Sequence, residues 1–220
     1  GVRRLVHVST EAVLVDGSAL VDVDEARPIP RFPLGPYART KALAEQVVLR
    51  AKSQACATII VRPRFVWGAG DTSLLPQLVH AARTGRFAWI DHGRYLTSTC
   101  HVENLCEGLW CAAQRGRGGN CYFVTDGAPV QLRSFGEALL RTQGIELSQR
   151  SVPRRAAMIA GTTMELLWRS LSLAENPPVT RAMVAAMGCE VTLNDSKARR
   201  ELGYSGRMTV EHGLQAMQRI

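Results

Sequence analysis

The chain has 220 residues, 46% of them hydrophobic and 21% charged. That is an ordinary globular composition, enough for one sizeable domain or two small ones, and it excludes a low-complexity chain. No run of about 18 apolar residues occurs, so no spanning helix is expected. The net charge is +8, but the arginines are scattered and their short clusters carry no interleaved aromatics. No nucleic-acid partner is therefore expected.

Arg4–Val8 is a short apolar run that suits a buried strand ending at Ser9 and Thr10. From Asp16 to Gly35 the Asp, Gly and Pro content, with Pro28, Pro30 and Pro33, predicts a loop. Pro36 opens a helix that runs to about Ser53, the favoured place for a proline. Its apolar residues Leu43, Val47 and Ala51 follow helical spacing. Tyr37 and Lys41 lie four residues apart, hence on one face. Ala57–Val61 is a continuous β-branched run, expected as a strand buried on both faces of a parallel sheet. Strand, helix and strand then form a βαβ unit.

Gly68 and Gly70 mark a loop, followed by a helix at 74–84 and a short strand at 87–90. A helix at 101–114 ends in Gly-Arg-Gly-Gly, and 121–125 reads as a strand. Helices are expected at 132–142 and 154–172. The apolar stretch 156–168 contains Glu165 and reads as a helix on a core or a lid, with peripheral membrane contact as the alternative. Residues 190–193 lead to a last helix from Asp195, which Gly203 is placed to close in the left-handed conformation. The class is α/β in front and mixed α+β behind.

Six cysteines without CxxC spacing predict no metal site, but reduced, buried thiols in a cytoplasmic protein. Three of the 27 Lys and Arg residues are lysine. Lys41 is one of them, which reads either as a demand for a compact ammonium or as compositional drift.

Ligands of open α/β sheets bind outside the carboxyl ends of strands. Ser9 and Thr10 stand at one such end, and Pro63, Arg64 and Phe65 follow the next strand. With Tyr37 and Lys41 they could face one crevice. A Tyr-x-x-x-Lys pair alone is a weak signal, so its context decides.

In that context the chain resembles the extended short-chain dehydrogenase/reductases. It is most similar to the branch with the 3β-hydroxysteroid dehydrogenase/isomerases and the NAD-dependent epimerase/dehydratase proteins. The stretches that carry the likeness are LVHVSTEAV, PYARTKALAE, VRPRFVWGAGD, HVENLCEGLWCA, NCYFVTDGAP and NDSKARRELGY, in the order the family has them. The resemblance implies the C-terminal part of a Rossmann-type doubly wound parallel sheet plus a smaller mixed α+β substrate-binding lobe. Residues 1–72 would be the second half of the cofactor domain and 73–220 mainly the substrate lobe, with the helix near 101–114 returning to the first. The family's Gly-rich pyrophosphate turn has no counterpart here, since Gly116, Gly118 and Gly119 follow a helix rather than a strand. The likeness therefore implies that roughly the first hundred residues of a Rossmann half are missing.

The resemblance also implies the chemistry. Tyr37 would be the general acid/base, its phenol lowered by Lys41 and by a positive nicotinamide. Lys41 would also hold the nicotinamide ribose. Thr10, with Ser9 as the alternative, would hydrogen-bond the substrate oxygen. Pro63, Arg64 and Phe65 would lie near the nicotinamide. Trp67, Arg94 and His101 are candidate substrate contacts. Their bland alternatives are a core tryptophan, a solvated arginine and a hydrogen-bonded histidine at a helix start. The cofactor implied is NAD, with NADP open, and a homodimer of the full-length protein is compatible.

The leading functional expectation is oxidation of a secondary alcohol, such as a 3β-hydroxysterol. A nucleotide-sugar epimerase or dehydratase is the second, and a non-catalytic dinucleotide sensor the third. Without the Gly-rich turn, the chain as given is expected to be marginally stable, aggregation-prone, inactive and unable to bind NAD usefully. Calorimetric titration of the purified 220 residues checks this, and micromolar affinity would contradict it.

Overall fold

A computed structural model describes residues 1–173 and 177–218. The first half contains β1 (Arg4–Val8), a 3-10 turn (Glu11–Leu14), β2 (Leu20–Val23), α1 (Pro36–Arg50), β3 (Ala57–Pro63), β4 (Val66–Trp67), α2 (Leu74–Arg83), β5 (Trp89–Ile90), β6 (Leu96–Thr97), β7 (Cys100–His101) and α3 (Val102–Arg115). The second contains β8 (Cys121–Val124), β9 (Val130–Gln131), α4 (Leu132–Arg141), β10 (Ser151–Val152), α5 (Arg154–Ser170), α6 (Arg181–Met187), β11 (Val191–Leu193), α7 (Ser196–Leu202) and α8 (Val210–Met217).

The main sheet is all parallel, in the order β1-β3-β8. Ile59, Ile60 and Val61 of the central strand are fully buried. Both faces are covered, as a parallel sheet requires. Ile59, Val61, Tyr122 and Val124 face α3 and α7, whereas Arg62 and Phe123 face α1. The fold is thus α/β with helices on the two faces of a parallel sheet. A second sheet runs β2-β11-β6-β9, with only β9 antiparallel.

The helix α1 shows a difference between spacing and face. Leu43 and Val47 are 59% and 66% exposed, and Ala51 lies at the exposed C-cap. The buried stripe is Ala38, Ala42 and Glu45. The two alanines let the helix backbone approach the sheet. Glu45 is 1% exposed and accepts two hydrogen bonds from Arg62, at 2.8 and 2.6 Å. Apolar spacing therefore marks the helix but misassigns its inner face, because the chain buries an ion pair there.

Two further elements differ from the sequence reading. The segment 16–35 is not all loop: Leu20–Val23 pairs in parallel with β11, a partner no local pattern reveals. A helix also follows Gly203, which itself closes α7 at φ 62°. This helix, α8, lies so close to Trp67 that a Cβ on Gly213 would come within 2.7 Å of the indole. Of the thiols, only Cys100 and Cys111 are buried, and Cys106 is exposed. No helix among the described residues is long and apolar enough to cross a membrane.

Removing the carboxylate that anchors α1 leaves a buried guanidinium unpaired. Glu45→Ala is expected to cost about 3–5 kcal/mol, and Leu43→Ala less than about 0.5 kcal/mol. Urea unfolding compares them, and equal losses would contradict the assignment of the inner face.

Candidate active site

The first strand ends where the chemistry begins. Ser9 continues the ladder through its N–H to the Val61 carbonyl at 2.8 Å. Thr10 then leaves the sheet at φ −162° and caps the 3-10 turn, its hydroxyl accepting the Ala12 N–H at 3.2 Å. The left-handed Gly35 and Pro36 start α1 so that Tyr37 falls in its first turn. The Tyr37 phenol lies near the Thr10 hydroxyl. Lys41, one turn on, donates its ammonium to the Val8 carbonyl at 3.0 Å. The structure therefore brings Thr10, Tyr37 and Lys41 together at the carboxyl end of β1. The Ser9 hydroxyl is buried there with no partner among the described residues.

Burial raises the Tyr37 phenol above its ordinary value; the Thr10 contact acts downward and the Glu11 charge upward. The expected lowering by Lys41 is thus not found in this arrangement. The ammonium is held on the Val8 carbonyl, and desolvation of the phenolate outweighs the Thr10 contact.

Arg64 does not face the crevice. It is 2% exposed and gives its Nη1 to Glu11 at 2.6 Å, its Nε to Thr97 at 2.9 Å and its Nη2 to the Ala186 carbonyl at 2.8 Å. Its guanidinium lies 4.6 Å from the centre of the Phe65 ring. A place beside a nicotinamide is therefore closed to its charge, which works from behind the site. Pro63 is buried at the end of β3, opposite Val124. Phe65 has φ 43°, a left-handed backbone that a bulky residue adopts only under constraint. It also lines a narrow apolar hollow with Leu78, Phe87, Trp89, Leu132 and Met187.

Trp67 and His101 are structural in this arrangement. Their rings meet edge to face at 4.8 Å, and both side chains are buried. His101 caps α3, its Nδ1 accepting the Glu103 N–H at 3.2 Å, and burial lowers its pKa. The Trp67 indole donates to Asp126 at 2.8 Å. Asp126 also accepts from the Thr99 hydroxyl at 2.7 Å, the His101 N–H at 2.6 Å and the Asn104 amide at 2.7 Å. Arg94 is exposed on the turn after β5, and no hydrogen bond or ion pair joins it to the Tyr37 cluster.

Sequence reading passes over two residues that organise this region. Glu11 is 6% exposed; it accepts the Thr10 hydroxyl at 2.8 Å and pairs with Arg64. The signal for it is an acid placed directly after two hydroxyls at a strand end. Asp126 likewise follows the end of β8, where a carboxylate can collect donors from neighbouring loops.

Residues 1–154 match the 3-beta hydroxysteroid dehydrogenase/isomerase family. The chain is 56% identical over 99% of its length to a 4-hydroxy-2-methyl-3-oxo-4-farnesyl-3,4-dihydroquinoline-1-oxide ketoreductase of Stigmatella aurantiaca, and spans 65% of that protein. It is 32% identical, again over 99% of its length, to a 2-alkyl-3-oxoalkanoate reductase of Stenotrophomonas maltophilia, spanning 68% of it. Among solved structures, a dTDP-glucose 4,6-dehydratase of Streptomyces venezuelae with NAD bound shares the fold at TM-score 0.69 and 22% identity, matching 98% of this chain and 59% of that one.

The Asp126 hub generates a structural prediction. Asp126→Asn loses the charge and presents an N–H group where donors converge. We expect a loss of roughly 2–4 kcal/mol in chemical unfolding, together with a shift in tryptophan fluorescence as the Trp67 indole loses its partner. Unchanged stability and emission would contradict the hub.

Proposed function

This chain belongs to the 3-beta hydroxysteroid dehydrogenase/isomerase family, and from that premise we propose that the protein is a nicotinamide-dependent oxidoreductase that interconverts a ketone and a secondary alcohol. One observation carries the reading: the turn capped by Thr10 and the first turn of α1 with Tyr37 stand together at the end of β1, where the Lys41 ammonium is fixed on the Val8 carbonyl at 3.0 Å. A proton donor, a hydrogen-bonding hydroxyl and a fixed cation are the set that carbonyl reduction needs. A pure dinucleotide sensor needs no such set.

The residues present fit the ribose end of NAD or NADP. Lys41 is a compact ammonium on the carbonyl of Val8, and the buried hydroxyl of the next residue, Ser9, is unpartnered among the described residues. When bound, the nicotinamide supplies hydride chemistry. Tyr37 would hold the proton that the substrate oxygen takes up, Lys41 would hold the ribose, and the Thr10 hydroxyl would hydrogen-bond the substrate oxygen. No Gly-rich phosphate turn occurs among these residues, and Gly119 packs against Lys52 instead.

The substrate class we favour is a large apolar ketone, such as a farnesylated 3-oxo-dihydroquinoline. The 56% identical ketoreductase supports this. A 3β-hydroxysterol is the second class, supported by a 29% identical sterol-4-alpha-carboxylate 3-dehydrogenase of Dictyostelium discoideum. A nucleotide sugar is disfavoured. Of the cations that could hold its pyrophosphate, Arg64 is engaged by Glu11, Thr97 and Ala186, and Arg133 by Glu137, which leaves Arg94 on the exposed turn after β5.

The test uses the full-length protein with NADH or NADPH and ketone, sterol and nucleotide-sugar panels, with product analysis in each. Oxidation of reduced cofactor with the farnesylated ketone is the expected result. Tyr37→Phe should lower turnover by at least about a hundredfold with cofactor affinity little changed, and near-parental turnover would overturn the assignment. Lys41→Arg keeps the charge but not its shape, so cofactor affinity and the pH optimum should both change.

A further inference from the structure

The helix α5 turns its large apolar residues outward. Its buried residues are small, Ala157 and Gly161. They let α6 come close: a Cβ on Gly161 would lie 3.0 Å from the Arg181 backbone nitrogen. On the other side Ile159 is 66% exposed, Leu166 62% and Leu167 50%. With the exposed Ala156 and Thr163 they follow one another at three- and four-residue steps, and so form one stripe. Leu171, also exposed, continues it at the C-cap. A surface helix ordinarily does the reverse and keeps such a stripe for the core. The fold is complete on the inner face of α5 without it.

The charges beside the stripe have one sign. Arg155 and Arg169 are exposed and lie on the same flank, about four turns or roughly 21 Å apart. Neither pairs with an acid among the described residues. Glu165 is the one acid of the helix, and Arg181 occupies it: the carboxylate accepts the Arg181 backbone N–H at 2.8 Å and its Nε at 2.9 Å. A second copy of this face would therefore bring arginines together with no acid to meet them, and burying unpaired charge is costly. A bilayer with anionic headgroups supplies both what the stripe lacks and what its flank lacks: acyl chains for the leucines and negative charge for the arginines. No described helix is long and apolar enough to cross a membrane, so the geometry suited to α5 is in the plane of the interface.

We propose that the outer face of α5 docks the protein on an anionic lipid bilayer, with Ile159, Leu166 and Leu167 in the acyl boundary and Arg155 and Arg169 at the level of the headgroups. The docking face is joined to the candidate site through α6, which lies against α5 and whose Ala186 carbonyl holds Arg64. Docking thus sets the site beside the phase in which a large apolar ketone dissolves. That use of the surface rests on the proposed reaction; the docking itself does not.

Cosedimentation of the full-length protein with vesicles tests the surface and needs neither cofactor nor substrate. We expect binding to vesicles of phosphatidylcholine and phosphatidylglycerol in equal parts, and at least about tenfold weaker binding to phosphatidylcholine alone. Ile159→Gln combined with Leu166→Gln alters exposed side chains only, so circular dichroism and the urea midpoint should stay as in the parent. Its affinity for the anionic vesicles should nevertheless fall about tenfold or more. Arg155→Gln and Arg169→Gln should each lower it about fivefold. Added salt should weaken the parent more than the double arginine variant, because fewer charges are left to screen.

Failure of the folded parent to bind the anionic vesicles would overturn the proposal. Undiminished binding by Ile159→Gln with Leu166→Gln overturns it too, since the net charge of +8 would then account for the attraction. Equal binding to phosphatidylcholine alone overturns the role of the arginines and with it the anionic surface. Sedimentation equilibrium covers the second copy: a dimer of the parent that Ile159→Gln with Leu166→Gln dissolves assigns the face to self-association and overturns docking. Ketone turnover by a protein that ignores vesicles sinks the docking and leaves the proposed reaction standing. Vesicle binding of the expected pattern without ketone turnover supports the docking and sinks the reaction.

Discussion

Two arginines at the end of the central strand hold the site together. Arg62 lies on the face of β3 that meets α1 and grips Glu45 there with two hydrogen bonds. Arg64, just past the strand, grips Glu11 in the turn after β1. The first pairing sets the position of the helix that carries Tyr37 and Lys41. The second sets the turn that carries Thr10. Both pairs are buried, so each partner is costly to leave alone and the geometry of each is narrow. Sheet, helix and turn are thereby fixed against one another by charges that never meet solvent, while the groups that would meet a substrate sit in front of them.

How much of this was legible in the sequence depends on how local the cause is. The βαβ unit is legible because β-branched residues fill Ala57–Val61 and because Pro36 marks a helix start. The grouping of Tyr37 with Lys41 follows from helical periodicity alone. The inner face of α1 is not legible, since a buried Glu is the reverse of what periodicity rewards, and its partner lies on another element. The same reason hides Glu11. An acid beside two hydroxyls reads as a solvated loop residue until Arg64, 53 positions away, is seen to neutralise it. Strand β2 is hidden because its partner is remote, not because its own residues are unsuited to a sheet.

The His-Val-x-Asn stretch illustrates a motif whose residues work on the fold. His101 and Asn104 face Asp126, and Asn104 also exchanges hydrogen bonds with the backbone of Met208 at 2.7 and 2.9 Å. His101 packs on Trp67, which packs in turn on Phe135 of α4. These contacts tie β7 and α3 to the C-terminal segment and to α4. The position of Phe65 follows in part, because its carbonyl accepts the N–H of Cys100 at the start of β7.

The pairing of β2 with β11 bears on the order in which the molecule assembles. Asp22 and Thr192 are 170 positions apart yet share a hydrogen bond, and the cluster around them joins Val13, Leu14 and Leu20 to Ala185, Val191 and Leu193. A contact of that span closes a long loop, so it forms late and gains little from local structure. On a ribosome, Val13 and Leu14 can meet Ala42 and Phe123 first, but their cluster is complete only when residues near 193 have emerged. Arg64 waits as well, because one of its three anchors is the Ala186 carbonyl. The turn that carries Thr10 is thus made long before it is set, and the site stays unfinished until residues 186–193 have been synthesised.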